Sequence, residues 1–561
     1  MKKIIYIISF SMLILGCEDY LNVIDYTQKS SQSFPLNYED CNQALAGAYS
    51  CLTLGQPIST FTIGALASDD AFGGGAPFDE KGHSLDRWRK YSPNMVRDLW
   101  RDAYKGIFRV NKLRESLDQV QFSSEKERNT VLGECFFLRA FFYSELAKVF
   151  GEVPLVLSAK EPVNLPKSPA NEVYAQIASD LKAAIEYLPS ERYDIDPERF
   201  GHATKWAAQA VMARVFLFYT GYYNQTDLPL AEGGAITKQS VVDYLDDLMA
   251  NSGHQLVDDY RNLWLYTNKH TKEDYPYTSG KNLEWAGESN SEVVWSGKHG
   301  YTNNYNAPQH NPIPQYFGIR GQHRNTAFPF AWGYGFGPVN PRMLEQWIED
   351  EPIDTIRRWG SVVDMNHPRE GFRDYFNNDP MVEETGYYQK KYSMIQVYTD
   401  KSSEDTTEWE YDYYDNVVND YAVSNISSQE MIFIRYADVL LMHSELTNTA
   451  DGINQVRERA KLPPVGYSLE NLQKERRYEL AFEAIRYWDL LRWYGKEAGV
   501  IIDQNQNGVP IFNIEEPAIY TADLADRIRA TGGFMQIPES EITLSDEVLT
   551  QNEGWGEDSN L

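Results

Sequence analysis

Apolar residues recur at every third or fourth position over long parts of the chain, which is the spacing of one face of an α-helix. The pattern is clearest from Glu125 to Phe150, where Gly151 and Pro154 mark the end of the helix. The same spacing predicts helices over residues 36–54, 94–117, 168–188, 204–219, 241–250, 431–448, 452–461 and 469–494. Short breaks join neighbouring helices, so we expect a mostly α fold built from helix–turn–helix units.

Residues 252–427 lack this periodicity and are rich in Gly, Pro, Asn, Tyr and Trp. Within them, only residues 292–296 predict a short strand. We expect the flanking residues 36–251 and 428–498 to form a scaffold of helix pairs similar to tetratricopeptide repeats. We expect the ligand site in the irregular region that this scaffold carries, because binding residues concentrate in long loops. Residues 499–561 are predicted to form an irregular C-terminal segment.

The N-terminus has the pattern of a lipoprotein signal peptide. Two lysines precede an apolar run, residues 4–15, which is shorter than the roughly 20 residues that span a bilayer. The run is followed by Gly16-Cys17, which resembles a lipobox, and the acidic pair after it resembles the export signal of surface lipoproteins. We expect residues 1–16 to be removed. The remaining single domain, residues 17–561, would be anchored by acyl chains on Cys17.

The composition narrows the choice of partners. The chain carries 81 acidic and 52 basic residues and a formal charge of −29, so it is expected to repel nucleic acid. Aromatic residues make up 14% of the sequence, with 38 Tyr and 13 Trp. Most of them are expected in the core, but large amphipathic rings also suit the apolar faces of sugars.

No sequence signature of a catalytic or metal centre is present: there is no GxSxG, HExxH, CxxC or P-loop. Sequence alone does not locate a pair of glycosidase carboxylates among so many acids. Residues 503–508 resemble the start of a calcium loop, but Ile514 stands where the bidentate Glu belongs, which favours a solvated turn. Three cysteines remain besides Cys17, and the pairing of Cys41 with Cys51 stays open. We therefore expect a protein without catalytic residues, cofactor or metal.

The C-terminal third resembles a known family. The segments IRYADVLLMHSE, INQVRERAKLP and KERRYELAFEAIRYWDLLRW, which begin at residues 434, 453 and 474, resemble the signature helices of SusD-like (RagB/SusD) nutrient-binding lipoproteins. Ser68-Asp69-Asp70, FGEVPLV, NSEVVW and MQIPESEI extend the resemblance along the chain. In the longest signature the apolar residues form a core-facing stripe flanked by charges that can pair. The signature therefore identifies the fold and not the site.

The resemblance implies a glycan site built from two loops, in which aromatic rings stack on sugars and polar groups bind hydroxyls. In the first loop region the candidate ligand-binding residues are Asp69, Asp70, Phe72, Trp88 and Tyr91. In the second they are Tyr301, Tyr305, Tyr316, Arg320, Trp332 and Tyr334.

The resemblance also implies a function. It predicts a surface-exposed lipoprotein of the outer membrane that captures oligosaccharides and passes them to a SusC-like TonB-dependent transporter. One alternative is the uptake of peptides, as in RagB-like members. A less favoured alternative is an envelope glycoside hydrolase on a helical scaffold.

Overall fold

The computed structural model describes residues 34–52, 59–162, 164–192, 199–300, 310–320, 328–372, 382–395, 427, 429–513 and 518–556. Helices dominate these residues, and the strands are short. Among the described residues, no helix combines the length and the apolar character that crossing a bilayer requires.

The N-terminal half is a series of helices in which successive long helices pack on one another. The longest, Glu125–Phe150, begins where the Ser124 side chain accepts a hydrogen bond from the backbone N–H of Glu127. It ends at Gly151, whose φ of 73° is a backbone conformation that glycine adopts without strain. The series comprises α1 (Tyr38–Tyr49), α2 (Thr60–Leu66), α3 (Glu80–Asp86), α4 (Arg97–Ser116), α5 (Glu125–Phe150), α6 (Ala170–Tyr187), α7 (Lys205–Tyr222) and α8 (Lys238–Asn251).

The middle of the chain contains few regular elements. It is preceded by a hairpin of two antiparallel strands of two residues each, β1 (Leu228–Pro229) and β2 (Ala235–Ile236). The predicted strand is present as β3 (Val293–Gly297). Further elements are α9 (Ile313–Tyr316), α10 (Pro341–Asp350), α11 (Thr355–Ser361), β4 (Val362–Asp364), β5 (Glu383–Glu384) and β6 (Tyr387–Gln389).

The helix predicted over residues 431–448 is in fact a strand followed by a helix. β7 (Met431–Arg435) pairs antiparallel with β3, and α12 (Tyr436–Thr447) follows directly. A short buried apolar run fits a strand or a helix equally well, so the pairing partner decides between them. β3 and β7 therefore bring together the two ends of residues 298–430, which make up most of the irregular region.

The helix predicted over residues 469–494 is also divided. α14 (Leu469–Glu479) and α15 (Arg486–Tyr494) are separated by a turn in which Phe482 and Ala484 have φ of 62° and 59°. Between them, Glu483 accepts hydrogen bonds from buried cations of two other segments, so tertiary ion pairs override the local helix pattern. The other C-terminal elements are α13 (Asp451–Arg459), α16 (Ala498–Gln506), β8 (Pro510–Asn513), β9 (Ala518–Ile519), α17 (Leu524–Thr531) and α18 (Glu539–Leu544).

A buried ionic cluster ties the irregular region to the scaffold. Arg435 donates from one nitrogen to Glu292 at 2.8 Å and to Glu479 at 2.6 Å. Arg357, from the irregular region, donates to Glu479 at 3.2 Å. Because every charge here has an opposite partner, the desolvation cost of burying them is offset. The members of the cluster are Glu292, Arg357, Lys391, Arg435, Arg459, Glu475, Glu479 and Glu483.

Candidate functional site

The two acids predicted in the first loop are buried and bound to arginines. Asp69 accepts from Arg486 at 2.8 Å and from Asn505 at 2.6 Å, and Asp70 accepts from Arg477 at 2.8 Å. Burial raises the pKa of Asp69, but Arg477 and Arg486 outweigh it and hold that pKa well below its usual range. Burial raises the pKa of Asp70. These carboxylates hold the loop against α14, α15 and α16 and do not face an open surface.

Two predicted stacking residues of the first loop lie in the core. Trp88 is 1% exposed, and its indole donates to Thr531 at 2.8 Å. Phe72 is fully buried against the ring of Tyr520, at 4.8 Å between centroids. Neither ring offers a face to a ligand, so a stacking role for Trp88 and Phe72 does not fit this structure. Tyr91 is 44% exposed.

The second loop region brings three predicted residues together. The rings of Tyr316 and Tyr334 lie 5.5 Å apart, and those of Trp332 and Tyr334 lie 5.4 Å apart. All three side chains are partly exposed, while Phe336 is buried and stacks on Tyr316 at 5.8 Å. We call Tyr316, Trp332 and Tyr334 the aromatic cluster.

Backbone hydrogen bonds fix the positions of these rings. The N–H groups of Gly333 and Tyr334 donate to the carbonyls of Ile319 and Gln315, each at 2.8 Å. A Cβ on Gly333 would lie 2.4 Å from the Cα of Gly318, so the two chain segments approach this closely only with glycine at this position. The rings are therefore positioned before any ligand arrives, which lowers the entropic cost of binding.

An ion pair joins the first loop to the chain segment that follows Tyr316. Arg320 donates to Asp79 at 2.7 Å, and the same carboxylate oxygen accepts from the N–H of Ala76 at 2.7 Å. The N–H of Gly75 also donates to the carbonyl of Gly335 at 2.9 Å. Phe78, next to Asp79, exposes 63% of its surface, which is unusual for so apolar a side chain.

The contribution of Phe78 and Asp79 was not predicted from the sequence. The available signal was an apolar ring and an acid, side by side at the end of a glycine-rich loop. The structure thus combines the aromatic cluster, an arginine–carboxylate pair and an exposed phenyl ring. Rings of this kind can stack on an apolar ligand face, and the charged pair can exchange hydrogen bonds with hydroxyl groups.

The glycine-rich first loop is hydrogen-bonded to a buried acid, Asp86. Asp86 is 1% exposed and accepts a hydrogen bond from the N–H of Gly73 at 2.7 Å. Burial raises the pKa of Asp86 to about 6, an effect that nearby His83 partly opposes. His83 in turn lies 3.3 Å from the carboxylate of Glu383. The loop that carries Phe78 is therefore hydrogen-bonded to a carboxyl group whose pKa burial raises to about 6.

Several remaining predictions concern other residues. Tyr301, Tyr305 and Cys17 lie outside the described residues. Within the described ranges, no group of three or more His, Cys, Asp or Glu side chains is arranged to hold a metal ion. The cysteines that the structure describes are unpaired, namely Cys41, Cys51 and Cys135.

The segment that resembles a calcium loop is not the expected solvated turn. Asp503 lies within α16, and its carboxylate accepts from the N–H groups of Leu524 and Ala525, each at 3.0 Å. The carboxylate oxygens therefore cap the start of α17.

A scaffold of paired helices with partly exposed aromatic rings on inserted loops defines a protein of the helical-repeat class. Sequence models of two related families match the chain. The SusD-like model described as "Starch-binding associating with outer membrane" matches residues 19–217, and the SusD family model matches residues 373–555. Together these matches cover more than half of the chain, which belongs to the SusD-like family.

Known proteins resemble the chain along most of its length. A SusD-like protein of Formosa agariphila is 23% identical over 559 residues, covering 90% of this chain and 92% of that protein. A solved structure named laminarin binding SusD-like protein is 24% identical with a TM-score of 0.69, covering 93% of this chain and 100% of the other. Surface glycan-binding protein A from Bacteroides thetaiotaomicron, in complex with laminarihexaose, is 18% identical with a TM-score of 0.65, covering 92% and 99%. These similarities confirm the predicted mostly helical, repeat-like fold.

Proposed function

We propose that this protein binds oligosaccharides at the aromatic cluster and does so without turning them over. The observation that supports this most directly is the set of three adjoining, partly exposed rings on a hydrogen-bonded backbone. Flat aromatic faces suit the apolar faces of pyranose rings. The neighbouring Arg320–Asp79 pair supplies a donor and an acceptor for hydroxyl groups. Two structurally similar proteins are named for binding laminarin or laminarihexaose, which supports a glycan as the ligand.

The proposed ligand is neutral. The chain has a formal charge of −29, which would repel anionic polymers and attract basic peptides. Contacts dominated by stacking change little with ionic strength, whereas the attraction of a basic peptide to an acidic protein is screened by salt. Salt dependence therefore separates the glycan proposal from the peptide alternative.

The decisive variant is Trp332→Ala. Loss of one ring–sugar stack costs on the order of 1–2 kcal/mol, by analogy with other aromatic contacts, so the dissociation constant should rise about tenfold. A suitable control is Trp493→Ala, because Trp493 is also partly exposed but lies on α15, where it donates to Glu445. Calorimetric titration against a panel of neutral oligosaccharides that includes laminarihexaose provides the measurement.

Three results would contradict the proposal. Unchanged affinity in folded Trp332→Ala protein would move the site away from the aromatic cluster. A steep fall in affinity with added salt would favour a charged peptide. Release of new reducing ends from the panel by purified protein would favour the glycoside hydrolase alternative.

We further propose that the protein is held on the outer membrane by acyl chains on Cys17 and passes its ligand to a SusC-like TonB-dependent transporter. The lipobox-like Gly16-Cys17 and the outer-membrane description of the matching family support this location. Cys17→Ala should move the protein from the detergent phase to the aqueous phase on detergent partitioning. Retention of the variant in the detergent phase would exclude this anchor. Co-purification of a TonB-dependent transporter with the wild-type protein tests the partner.

A further inference from the structure

One surface of the helical scaffold is basic, although the chain as a whole is strongly acidic. Residues 103–114 of α4 include four basic residues and no acidic one. Residues 41–68, which include most of the neighbouring helix α1, contain no charged residue at all. The two helices are joined where the guanidinium of Arg109 donates to the carbonyl of Gly47. The outer surface of this helix pair therefore carries positive charge, and these two segments supply no acid to neutralise it.

The exposed side of α4 combines these cations with an apolar ring. Lys105, Phe108 and Lys112 follow one another at intervals of three and four residues, and all three are exposed. Phe108 exposes 51% of its surface. Neither lysine forms an ion pair with any residue that the structure describes. We call Lys105, Phe108, Arg109 and Lys112 the basic face. Lysines and arginines around an aromatic ring are the combination found on protein surfaces that contact lipid headgroups.

The other acids of α4 have partners away from these lysines. Asp98 and Asp102, which precede the basic face, lie 2.7 Å and 3.1 Å from nitrogens of Arg101. Glu115, which follows it, accepts a hydrogen bond from the N–H of Ala159 at 2.9 Å. The positive charge of Lys105 and Lys112 therefore remains available to a partner outside the chain.

The described part of the chain begins beside the end of the same helix. The carbonyl of Leu36 accepts a hydrogen bond at 2.9 Å from the N–H of Gln121, shortly after α4 ends. Sixteen residues, 18–33, connect Cys17 to the described chain, and even fully extended they span at most about 60 Å. An acyl anchor on Cys17 would therefore keep this end of α4 near the membrane.

From the charge of this surface, its exposed ring and the position of the chain end, we propose that the basic face contacts the anionic headgroups of the membrane that carries the protein. The inference rests on the lipid anchor proposed above. The net charge of −29 does not prevent this contact, because charges farther away than the Debye length, about 8 Å at physiological salt, are largely screened. Each basic side chain near an anionic surface strengthens the attraction roughly fivefold. The contact fixes how the protein is oriented on the membrane.

A photo-crosslinking side chain tests the contact. The lipidated protein with Phe108→p-benzoylphenylalanine is reconstituted into vesicles of phosphatidylcholine and phosphatidylglycerol, irradiated and analysed by mass spectrometry. Lipid adducts should form at position 108, about tenfold more than in vesicles of phosphatidylcholine alone. The control is Ile353→p-benzoylphenylalanine, because Ile353 is 61% exposed but lies between α10 and α11. No adducts at position 108, or equal yields at both positions, would overturn the proposal.

Charge reversal tests the role of the lysines. Lys105→Glu combined with Lys112→Glu should lower the adduct yield at position 108 about tenfold in the anionic vesicles, since two attractions become repulsions. The matched control is Lys238→Glu combined with Lys461→Glu, because both lysines are also exposed and form no ion pair in the described part of the chain. This control should leave the yield unchanged. Equal yields from the two double variants would refute the assigned role of the basic face.

Vesicle flotation separates this inference from the proposed anchor. Lipidated wild type should float with the vesicles and Cys17→Ala should not, because acyl chains supply most of the affinity for the membrane. Flotation of the lipidated protein without adducts at position 108 would overturn the membrane contact and leave the anchor standing. If the wild-type protein does not float, the anchor and the inference that rests on it are both wrong.

Discussion

Replacing Glu479 with Gln should destabilise the protein far more than the same change on the surface. Glu479 is fully buried and accepts hydrogen bonds from three guanidinium groups: Arg435 at 2.6 Å, Arg357 at 3.2 Å and Arg459. Removing its charge leaves these cations short of one buried counter-charge. Breaking a buried ion pair from one side costs about 3–5 kcal/mol.

The matched control lies on the same helix. Glu470 is 75% exposed and pairs with Lys474 at 3.0 Å across one helical turn. Such surface pairs contribute about 0.5 kcal/mol or less, so Glu470→Gln should have little effect on stability. In a chain of this size a loss of 1 kcal/mol lowers the unfolding midpoint by about 1 °C. We therefore expect a decrease of about 3–5 °C for Glu479→Gln and less than about 1 °C for Glu470→Gln.

Acid should reduce the difference between wild type and Glu479→Gln. Burial raises the pKa of Glu479, but Arg459 and Arg435 outweigh it and hold that pKa well below its usual range. The stabilisation is therefore complete above the unfolded-state pKa of about 4.3 and is lost as the pH falls below it. Thermal unfolding monitored by circular dichroism at pH 7 and pH 3.5 measures both effects. Equal midpoints for the two variants at pH 7 would refute the assigned role of the buried charge.

Two further predictions concern the first loop. Asp86 has a pKa of about 6 in the folded protein, so the stability it contributes is full below the unfolded-state pKa of roughly 3.9 and is lost as the pH rises through 6. Relative to Asp86→Asn, wild type should lose about 2–3 kcal/mol between pH 4 and pH 7.5 in urea unfolding; a pH-independent difference would contradict this. Trp88→Ala should cost about 3–5 kcal/mol of unfolding free energy without weakening glycan binding by the folded fraction; weaker binding would return Trp88 to the site.

The helical scaffold was largely predictable because its evidence is local. The apolar spacing of residues 125–150, the cap at Ser124 and the stop at Gly151 together define α5 to the residue. The predicted helices were wrong where contacts with distant segments determine the local structure. β7 is a strand because β3 pairs with it, and the turn between α14 and α15 places Glu483 beside Lys391. Single-sequence periodicity contains no information on such partners.

The sequence points to the segments that carry the candidate site but does not separate their exposed rings from their buried ones. Trp88 and Trp332 look equivalent in the sequence, since both lie outside the predicted helices. Contacts with Thr531, 443 positions away, bury the first, whereas short-range pairing around Gly333 leaves the second partly exposed. Asp69 and Asp70 likewise find arginines more than 400 positions away. Some residues whose chemistry suits a ligand, namely Trp88, Asp69 and Asp70, therefore stabilise the fold instead.

The buried ionic cluster restricts which segments of related proteins can replace the segment between β3 and β7. The segment between β3 and β7 begins and ends at neighbouring points of one two-stranded sheet, so its ends suit replacement by the corresponding segment of a relative. That segment also contributes Arg357 and Lys391 to carboxylates of the scaffold. A chimera whose donor segment lacks these cations would leave Glu475, Glu479 and Glu483 with fewer buried counter-charges. Exchange of this segment between relatives would therefore require matching charges inside the protein as well as compatible ends at the sheet.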